Sequence, residues 1–169
     1  MEWMLMPLRR YADFSGRSRR KEFWMFSLGY MLLTLLMLAI FIAVAGTAFL
    51  GALDGNADPA AMTSTLAGMG VLLILYLVIG LGLIIPSIAV SVRRLHDIDR
   101  SGWWVAVFYG LAVLSGAFGQ DGSALGLVFN LVYVAAAITL LVFTLLPGTR
   151  GPNRFGEDPK AAGTAEVFA

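Results

Sequence analysis

Long apolar runs alternate with short polar segments along the chain. Four runs contain no charged residue, and they cover residues 23–53, 59–92, 101–120 and 122–149. A helix needs about 20 apolar residues to cross a hydrocarbon core about 30 Å thick, so each run has room for one transmembrane helix. Helix is favoured because a backbone inside the bilayer must satisfy its own hydrogen bonds. The pattern therefore predicts four spans, at 24–50, 69–92, 103–119 and 124–146.

The third predicted span differs from the others in length and composition. It lies near the lower limit of about 17 residues for a spanning helix. It also contains Gly110, Ser115, Gly116 and Gly119. Two alternatives follow: a complete crossing, and a re-entrant segment that returns to the same side of the membrane.

The basic residues are confined to three of the five segments outside the apolar runs. These segments precede the first run, separate the second from the third, and follow the fourth. All twelve lysines and arginines lie there: Arg9, Arg10, Arg17, Arg19, Arg20, Lys21, Arg93, Arg94, Arg100, Arg150, Arg154 and Lys160. The other two segments contain Asp54, Asp58 and Asp121 and no cation. The positive-inside rule therefore predicts that both termini and the middle loop are cytoplasmic. This separation also favours a complete crossing by the third segment, because the cations of the tail would otherwise face outward.

The N-terminal segment predicts a membrane anchor preceded by a short interfacial helix. Residues 43–45 resemble a signal-peptide cleavage site, but the apolar stretch before them exceeds a signal h-region of about 7–15 residues, which favours an uncleaved anchor. Upstream, Leu5, Leu8, Tyr11 and Ala12 share one face at helical spacing, which favours an interfacial helix over a frayed terminus. Anionic lipid is its expected partner. The candidate headgroup contacts are aromatic or basic: Trp3, Arg9, Arg10, Arg19 and Lys21.

Composition supports a membrane protein built as one domain. Hydrophobic residues make up 59% of the chain, charged residues 14%, and the mean hydropathy is +0.80. Soluble domains carry about 45–50% apolar and about 25% charged residues. The length of 169 residues suits one integral membrane domain over 1–160, with a short disordered tail at 161–169. The chain has no cysteine, which excludes disulfides and thiolate chemistry, and its net charge of +1 does not indicate a nucleic-acid partner.

The predicted spans contain few polar residues, and no acid, base or histidine lies at depth. Ion-coupled transporters usually keep ionisable residues within the membrane, so that class is disfavoured. Asn130 could line a pore, but a hydrogen bond across a helix interface is the more common role of such a residue. Gly80, Gly82 and Pro86 predict a kink in the second helix, and close helix packing is favoured over a hinge.

No common catalytic or cofactor-binding motif is present. The chain lacks the H-E-x-x-H of zinc proteases, the G-x-S-x-G of hydrolases and the phosphate loop, and no cofactor is expected. His96, Asp97 and Asp99 offer ligand types for a divalent cation, but two carboxylates on a short loop make a poor site. A salt-bridged loop is the favoured interpretation, and no metal is expected.

Three polar segments carry a resemblance to a known family. They read FSGRSRRKEFW at 14–24, RRLHDIDRSGWW at 93–104 and PGTRGPNRFGEDP at 147–159. In this order, separated by apolar runs, they resemble the bacterial inner-membrane family called domain of unknown function 805, and the resemblance extends over 3–159. The longer first outer loop, 51–65, is a departure from the family pattern. The resemblance implies a bacterial inner-membrane protein and supplies no reaction.

The three motifs and the predicted orientation together place one polar layer at the cytoplasmic face. Its predicted members are Arg17, Arg20, Glu22, Arg93, Arg94, His96, Asp97, Ser101, Asn153 and Asp158. Charges of both signs at a low-dielectric boundary should pair, and arginine binds carboxylates and phosphates bidentately. Asp97 is therefore expected to accept hydrogen bonds from one of four arginines, namely Arg17, Arg20, Arg93 and Arg94.

Three functions are compatible with such a layer. The favoured one is structural: the layer locks the helix bundle and binds anionic lipid headgroups, a partner protein or a second copy of the chain. The alternative is a membrane-embedded enzyme or receptor for a small anionic ligand or headgroup, with His96 as acid and base and Asp97 as its orienter. A channel or transporter is the least favoured, and an enzyme is the less expected class.

Overall fold

The computed structural model describes residues 2–53, 58–120 and 122–161. It contains five helices: α1 (Glu2–Arg9), α2 (Arg20–Leu53), α3 (Pro59–Asp97), α4 (Trp103–Phe118) and α5 (Ala124–Leu145). No strand occurs within the described ranges, where the only sheet-like pairing is an isolated bridge between Asn153 and Gly156. The all-helical class expected from the sequence is thus confirmed. The predictions for Asp54, Asp121 and residues 162–169 of the tail concern positions outside the described ranges.

Three of the helices are long and apolar enough to cross a membrane. They are α2, α3 and α5, with 34, 39 and 22 residues. Helix α4 is equally apolar but has 16 residues, or about 24 Å at 1.5 Å per residue. It therefore falls short of a hydrocarbon core of about 30 Å, as its run in the sequence suggests.

Helix α3 is longer at both ends than its predicted span. It begins at Pro59, because a proline in the first turn has no intrahelical hydrogen bond to lose. It continues through Pro86 and ends at Asp97, so the basic motif forms its last turns instead of a loop. Burial explains this extension, since Arg93, Arg94 and Leu95 are fully buried at the helix end.

The described residues divide into two compact units. One contains the chain up to Phe26 and again from Pro86 onward, and the other contains Ser27–Ile85. The first unit holds α1, the first turns of α2, the last turns of α3, and helices α4 and α5. The second unit consists of the remaining parts of α2 and α3, and it contains an open cavity of about 250 Å³. The cavity is lined by Thr34, Met37, Leu38, Phe41, Leu72, Leu73 and Tyr76.

Helices α4 and α5 pack against each other as an antiparallel pair. Phe118 at the end of α4 stacks on Phe129 with ring centroids 5.5 Å apart, and Trp104 at its start meets Phe143 at 5.6 Å. The two helices therefore run alongside each other over most of the length of α5.

A polar contact closes the turn between the same two helices. The hydroxyl of Ser115 donates to Oδ1 of Asn130, and Nδ2 of Asn130 donates to the carbonyl of Gly119 at 3.1 Å. A Cβ at Gly119 would lie 2.3 Å from the Ser115 carbonyl oxygen, so only glycine fits there. Asn130 thus bonds across a helix interface, which is the role that the sequence favoured.

Candidate functional site

Asp97, in the last turn of α3, is bound by two arginines. Its Oδ1 accepts a hydrogen bond from Nε of Arg17 at 3.1 Å, and its Oδ2 accepts one from Nη1 of Arg94 at 2.5 Å. All three side chains are buried. Two of the four candidate arginines, Arg17 and Arg94, therefore bind Asp97. The other two, Arg20 and Arg93, have different partners.

Arg17 joins this carboxylate to the segment that follows α5. Its Nη1 donates to the carbonyl of Gly151 and its Nη2 to that of Thr149, both at 2.6 Å. The backbone N–H of Thr149 in turn donates to the carbonyl of Asp97 at 2.8 Å. A Cβ at Gly148 would lie 2.1 Å from Oδ2 of Asp97, so this position of the tail requires glycine. The first and third sequence motifs thus meet on the second.

Two arginines cap the C-terminus of α5. Arg94 donates from Nε to the carbonyl of Thr144 at 3.1 Å and from Nη2 to that of Leu146. Arg20, at the start of α2, donates to the carbonyl of Leu145 at 3.3 Å. The last carbonyls of a helix have no intrahelical donor and carry partial negative charge, so cations from other helices stabilise them.

A second ion pair joins α2 to α3. Nη2 of Arg93 donates to Oε1 of Glu22 at 3.0 Å, and both side chains are buried. Nη1 of Arg93 donates to the carbonyls of Arg10 and Asp13, and the backbone N–H of Ser18 donates to the carbonyl of Arg93. Within the described ranges, two buried side-chain atoms have no partner, Nε of Arg93 and Oγ of Ser18.

The buried layer contains more positive than negative charge. Three guanidinium groups, of Arg17, Arg93 and Arg94, face two carboxylates, of Glu22 and Asp97. The excess is met by backbone carbonyls, which accept from every one of the three arginines. Burying such pairs adds little net stability, but removing one partner leaves an uncompensated charge, at a typical cost of about 3–5 kcal/mol.

His96 lies beside this layer, and its ring forms no hydrogen bond with the carboxylate of Asp97. Its Nδ1 is 3.2 Å from the carbonyl of Gly16, and its ring stacks on Phe155 with centroids 3.9 Å apart and planes 4° apart. A carbonyl can only accept, so Nδ1 carries a proton, and Nε2 is an acceptor when the ring is neutral. Asn153 donates to the backbone carbonyl of His96 at 2.9 Å. Asp97 is bound by arginines instead, so the pair is not arranged as an acid and its orienter.

The two remaining predicted members lie at the margin of the layer. Asp158 shapes the tail: its carboxylate accepts from the backbone N–H groups of Lys160 at 2.9 Å and of Gly151 at 3.2 Å. These backbone hydrogen bonds, that of Lys160 first, lower the pKa of Asp158. Ser101 accepts from the backbone N–H of Trp103 at 3.4 Å, at the start of α4.

Aromatic and basic side chains meet at the N-terminal segment. Trp3 of α1 is contacted by two cations, with Cζ of Arg19 5.6 Å and Nζ of Lys21 5.4 Å from the ring. Arg19 also donates to the carbonyl of Pro159, which ties the end of the tail to this surface. We call Trp3, Arg19 and Lys21 the Trp3 surface. It unites three of the five residues that the sequence indicated as headgroup contacts.

The other two headgroup candidates lie elsewhere. Arg10 is bound to Asp13, with Nε 2.9 Å and Nη2 2.7 Å from Oδ2. The hydrogen bond from Ser15, followed by that from Arg10, holds the pKa of Asp13 far below its usual range. Arg9 is exposed at the end of α1. The charge of Arg10 is thus already balanced by Asp13, so Arg10 is less available to bind an external anion.

Some contributors to the layer were absent from the predicted set. Thr149, Gly148 and Phe155 all contact predicted members. All three belong to the third motif, which could have indicated them. Thr149 contributes its hydroxyl, which donates to the carbonyl of Asp97 at 3.2 Å, as well as its backbone N–H and carbonyl groups. Among the described residues, no three His, Cys, Asp or Glu side chains come together as metal ligands.

Comparison with known proteins shows the family. Residues 11–157 match the family described as "Protein of unknown function (DUF805)". Inner membrane protein YhaH of Escherichia coli (strain K12) is 32% identical over 160 residues, which cover 95% of this chain and 98% of the relative. Inner membrane protein YhaI of the same strain is 33% identical over 162 residues, which cover 95% and 97%. No solved structure matches the chain. The chain therefore belongs to the DUF805 family, together with these two inner membrane proteins.

Proposed function

We propose that this protein is a multi-pass inner-membrane protein that binds anionic lipid headgroups on its cytoplasmic side and is locked there by its arginine and carboxylate layer. The observation that carries the proposal is the Trp3 surface, where Arg19 and Lys21 flank one aromatic ring. Tryptophan favours the headgroup level of a bilayer, and basic residues beside it attract anionic lipid.

The helix ends support four crossings with both termini on one side. Ion pairing of Glu22 with Arg93 brings the start of α2 to the end of α3. Arg94 reaches the end of α5, and the contact of Trp104 with Phe143 brings the start of α4 there too. Starts and ends alternate at one end of this unit, as they do when consecutive helices cross in opposite directions. Every lysine and arginine lies in the segments at this side, which supports its assignment as the cytoplasmic side.

Helix α4 is short, but its packing supports a crossing over a re-entrant segment. It runs beside α5 from Phe118 and Phe129 at one end to Trp104 and Phe143 at the other. A segment that turned back within the membrane would leave one end of α5 without this partner. Local thinning of the bilayer accommodates a short helix at a cost of fractions of a kcal/mol per Å.

The layer supports a lock because both of its carboxylates are already bonded to its arginines. Both carboxylate oxygens of Asp97 are taken by arginines, and Gly148 passes directly over Oδ2. A small anionic ligand would have to displace these contacts to reach the arginines. The single domain expected over 1–160 is part of the same proposal, since the layer joins residues from the first, second and third motifs.

The second candidate function is an enzyme or receptor for a small anionic ligand at His96. One observation favours it: with Nδ1 bonded to the carbonyl of Gly16, Nε2 of the half-buried imidazole is an acceptor when the ring is neutral. The engagement of Asp97 with Arg17 and Arg94 weighs against it, because the carboxylate is not directed at the ring.

Lipid retention measured by native mass spectrometry tests the favoured proposal. The purified protein is prepared in mixed phosphatidylglycerol and phosphatidylcholine, and the retained anionic lipid is counted. Each surface cation next to an anionic membrane is worth about 1 kcal/mol, so Lys21→Gln is expected to weaken phosphatidylglycerol binding about fivefold. Lys21 is chosen because, unlike Arg19, it donates no hydrogen bond to the tail among those seen in the described residues.

Arg150→Gln is the control, because it removes an exposed cation on the same side that contacts no aromatic ring in the described residues. Unchanged retention in Lys21→Gln, or an equal loss in both variants, would show that the Trp3 surface does not bind headgroups.

A further inference from the structure

Arg100 lies in the turn between α3 and α4, in a fixed backbone position. The N–H of Arg100 donates to the carbonyl of Leu95 at 2.9 Å, and that of Asp99 donates to the carbonyl of His96 at 3.1 Å. Asp99 has a φ of 58°, so these bonds form a Schellman motif with Asp99 in the left-handed position. A Cβ at Gly102 would lie 2.7 Å from Cγ1 of Val92, so the turn is packed tightly onto α3. The turn therefore holds Arg100 in a defined place.

The charge of Arg100 is not balanced by any described residue. Its guanidinium lies over the ring of Phe143 with Cζ 5.7 Å from the centroid, and it forms no ion pair or hydrogen bond within the described ranges. The nearby Asp99 pairs with Arg154 instead, at 3.0 Å. An exposed arginine on an aromatic face thus retains all five of its N–H donors for an external acceptor.

Two tryptophans follow this cation in the chain and begin the apolar helix α4. Trp103, the first residue of α4, is 77% exposed, and Trp104 is 44% exposed and meets Phe143 edge to face at 5.6 Å. Exposed tryptophans at a helix end are typical of the level where hydrocarbon gives way to headgroups. Arginine at that level has the planar fork that binds a phosphate through two hydrogen bonds.

We propose that Arg100, Trp103 and Phe143 form a second lipid site, which holds the phosphate of an anionic phospholipid headgroup. Arg100 supplies the charge and two donors, and Phe143 fixes the guanidinium. Trp103 packs against the glycerol region while the acyl chains follow the apolar surface of α4 and α5. A membrane lipid is the occupant because the site joins an unbalanced cation to an exposed apolar surface, and free phosphate would use only the first. The site depends on the proposed topology but shares no residue with the Trp3 surface.

Binding of phosphatidylglycerol by the full-length protein tests this site. Native mass spectrometry in mixed phosphatidylglycerol and phosphatidylcholine gives the retained anionic lipid, and removal of one cation is expected to weaken binding about fivefold in Arg100→Gln. Trp103→Ala is expected to reduce retention as well, although it leaves the net charge unchanged. The fold is monitored by the thermal midpoint, which should not change in Arg100→Gln because its side chain bonds no described residue.

Arg150→Gln is the control, since it removes an exposed arginine that contacts no aromatic ring in the described residues. Equal losses in Arg100→Gln and Arg150→Gln would reduce the effect to general charge attraction and overturn the site. Displacement of phosphatidylglycerol by an equal concentration of inorganic phosphate would overturn the assignment to a lipid. Lys21→Gln separates the two proposals. Weaker phosphatidylglycerol binding in Lys21→Gln with unchanged binding in Arg100→Gln overturns this site alone. Weaker binding in Arg100→Gln with unchanged binding in Lys21→Gln overturns the Trp3 surface alone.

Discussion

Gly148 and Asp97 approach so closely that no side chain fits between them. A Cβ at Gly148 would lie 2.1 Å from Oδ2 and 2.6 Å from Cγ of Asp97. The carboxylate cannot move aside, because it is held by Arg17 from one side and Arg94 from the other. The glycine is therefore required by the carboxylate, and the two positions should respond together to substitution.

Gly148→Ala is expected to lower the thermal midpoint of the detergent-solubilised protein. The added methyl group must displace either the tail or the buried ion pair, and overpacking typically costs about 1–3 kcal/mol. Gly110→Ala is the control, because a Cβ at Gly110 meets nothing within 4 Å and alanine is the better helix former. A Gly148→Ala protein as stable as the control would contradict the contact.

Asp97→Asn and Asp99→Asn should differ strongly in stability. The first removes the charge that two buried arginines share, at an expected cost of about 3–5 kcal/mol. The second removes an exposed ion pair with Arg154, worth about 0–1 kcal/mol. Asparagine also tolerates the left-handed backbone of Asp99, so the comparison isolates the charge. If both variants unfold at the same temperature as the parent protein, the layer is solvated and does not lock the helix ends.

The contribution of Asp13 to stability should depend on pH. Its pKa is lowered by the hydrogen bond from Ser15 and then by Arg10, so its ionised form is favoured in the folded state. Such a group stabilises the fold above its unfolded pKa of about 4, and this contribution is lost as the pH falls further. The midpoint difference between the parent and Asp13→Asn should therefore be present at neutral pH and shrink below about pH 4. A difference that is constant with pH would assign the effect to packing.

Single cysteines test the proposed topology, because the chain contains none of its own. In intact cells, an impermeant thiol reagent should label Asp58→Cys and Asp121→Cys but not Arg154→Cys. Labelling at position 121 distinguishes a complete crossing by the third segment from a re-entrant segment, since a re-entrant segment would leave that position on the cytoplasmic side. Labelling of Arg154→Cys would contradict the model of four crossings.

The helices were predictable because hydrophobic length is a direct consequence of the membrane. Each uncharged run contains one helix, and α4 and α5 begin at the predicted residues, 103 and 124. The end of α3 was not predictable from hydropathy. Arg93 and Arg94 read as residues of a polar loop, but helical spacing buries both among acceptors from other segments. Charge marks the limit of the apolar surface, whereas the helix ends where backbone hydrogen bonding ends.

The charged members of the layer were predictable, but the hydrogen bonds between them were not. A buried carboxylate near several arginines must find a partner among them, which indicated Asp97. The choice of Arg17 and Arg94 depends on where the tail passes, and the tail is held mainly by carbonyl groups such as those of Thr149 and Gly151. Every residue has a carbonyl, so these acceptors have no signature in the sequence.

The reach of Arg17 has a consequence for the order in which the protein is made. Its partners at Thr149 and Gly151 leave the ribosome long after the first helix has been synthesised. Until then, Arg17 lacks the two carbonyls that accept from its Nη atoms, and Arg94 lacks those of Thr144 and Leu146. The layer can therefore close only after the end of α5 and residues 149–151 have been synthesised, so these arginines lack part of their hydrogen bonds while the earlier helices are being made.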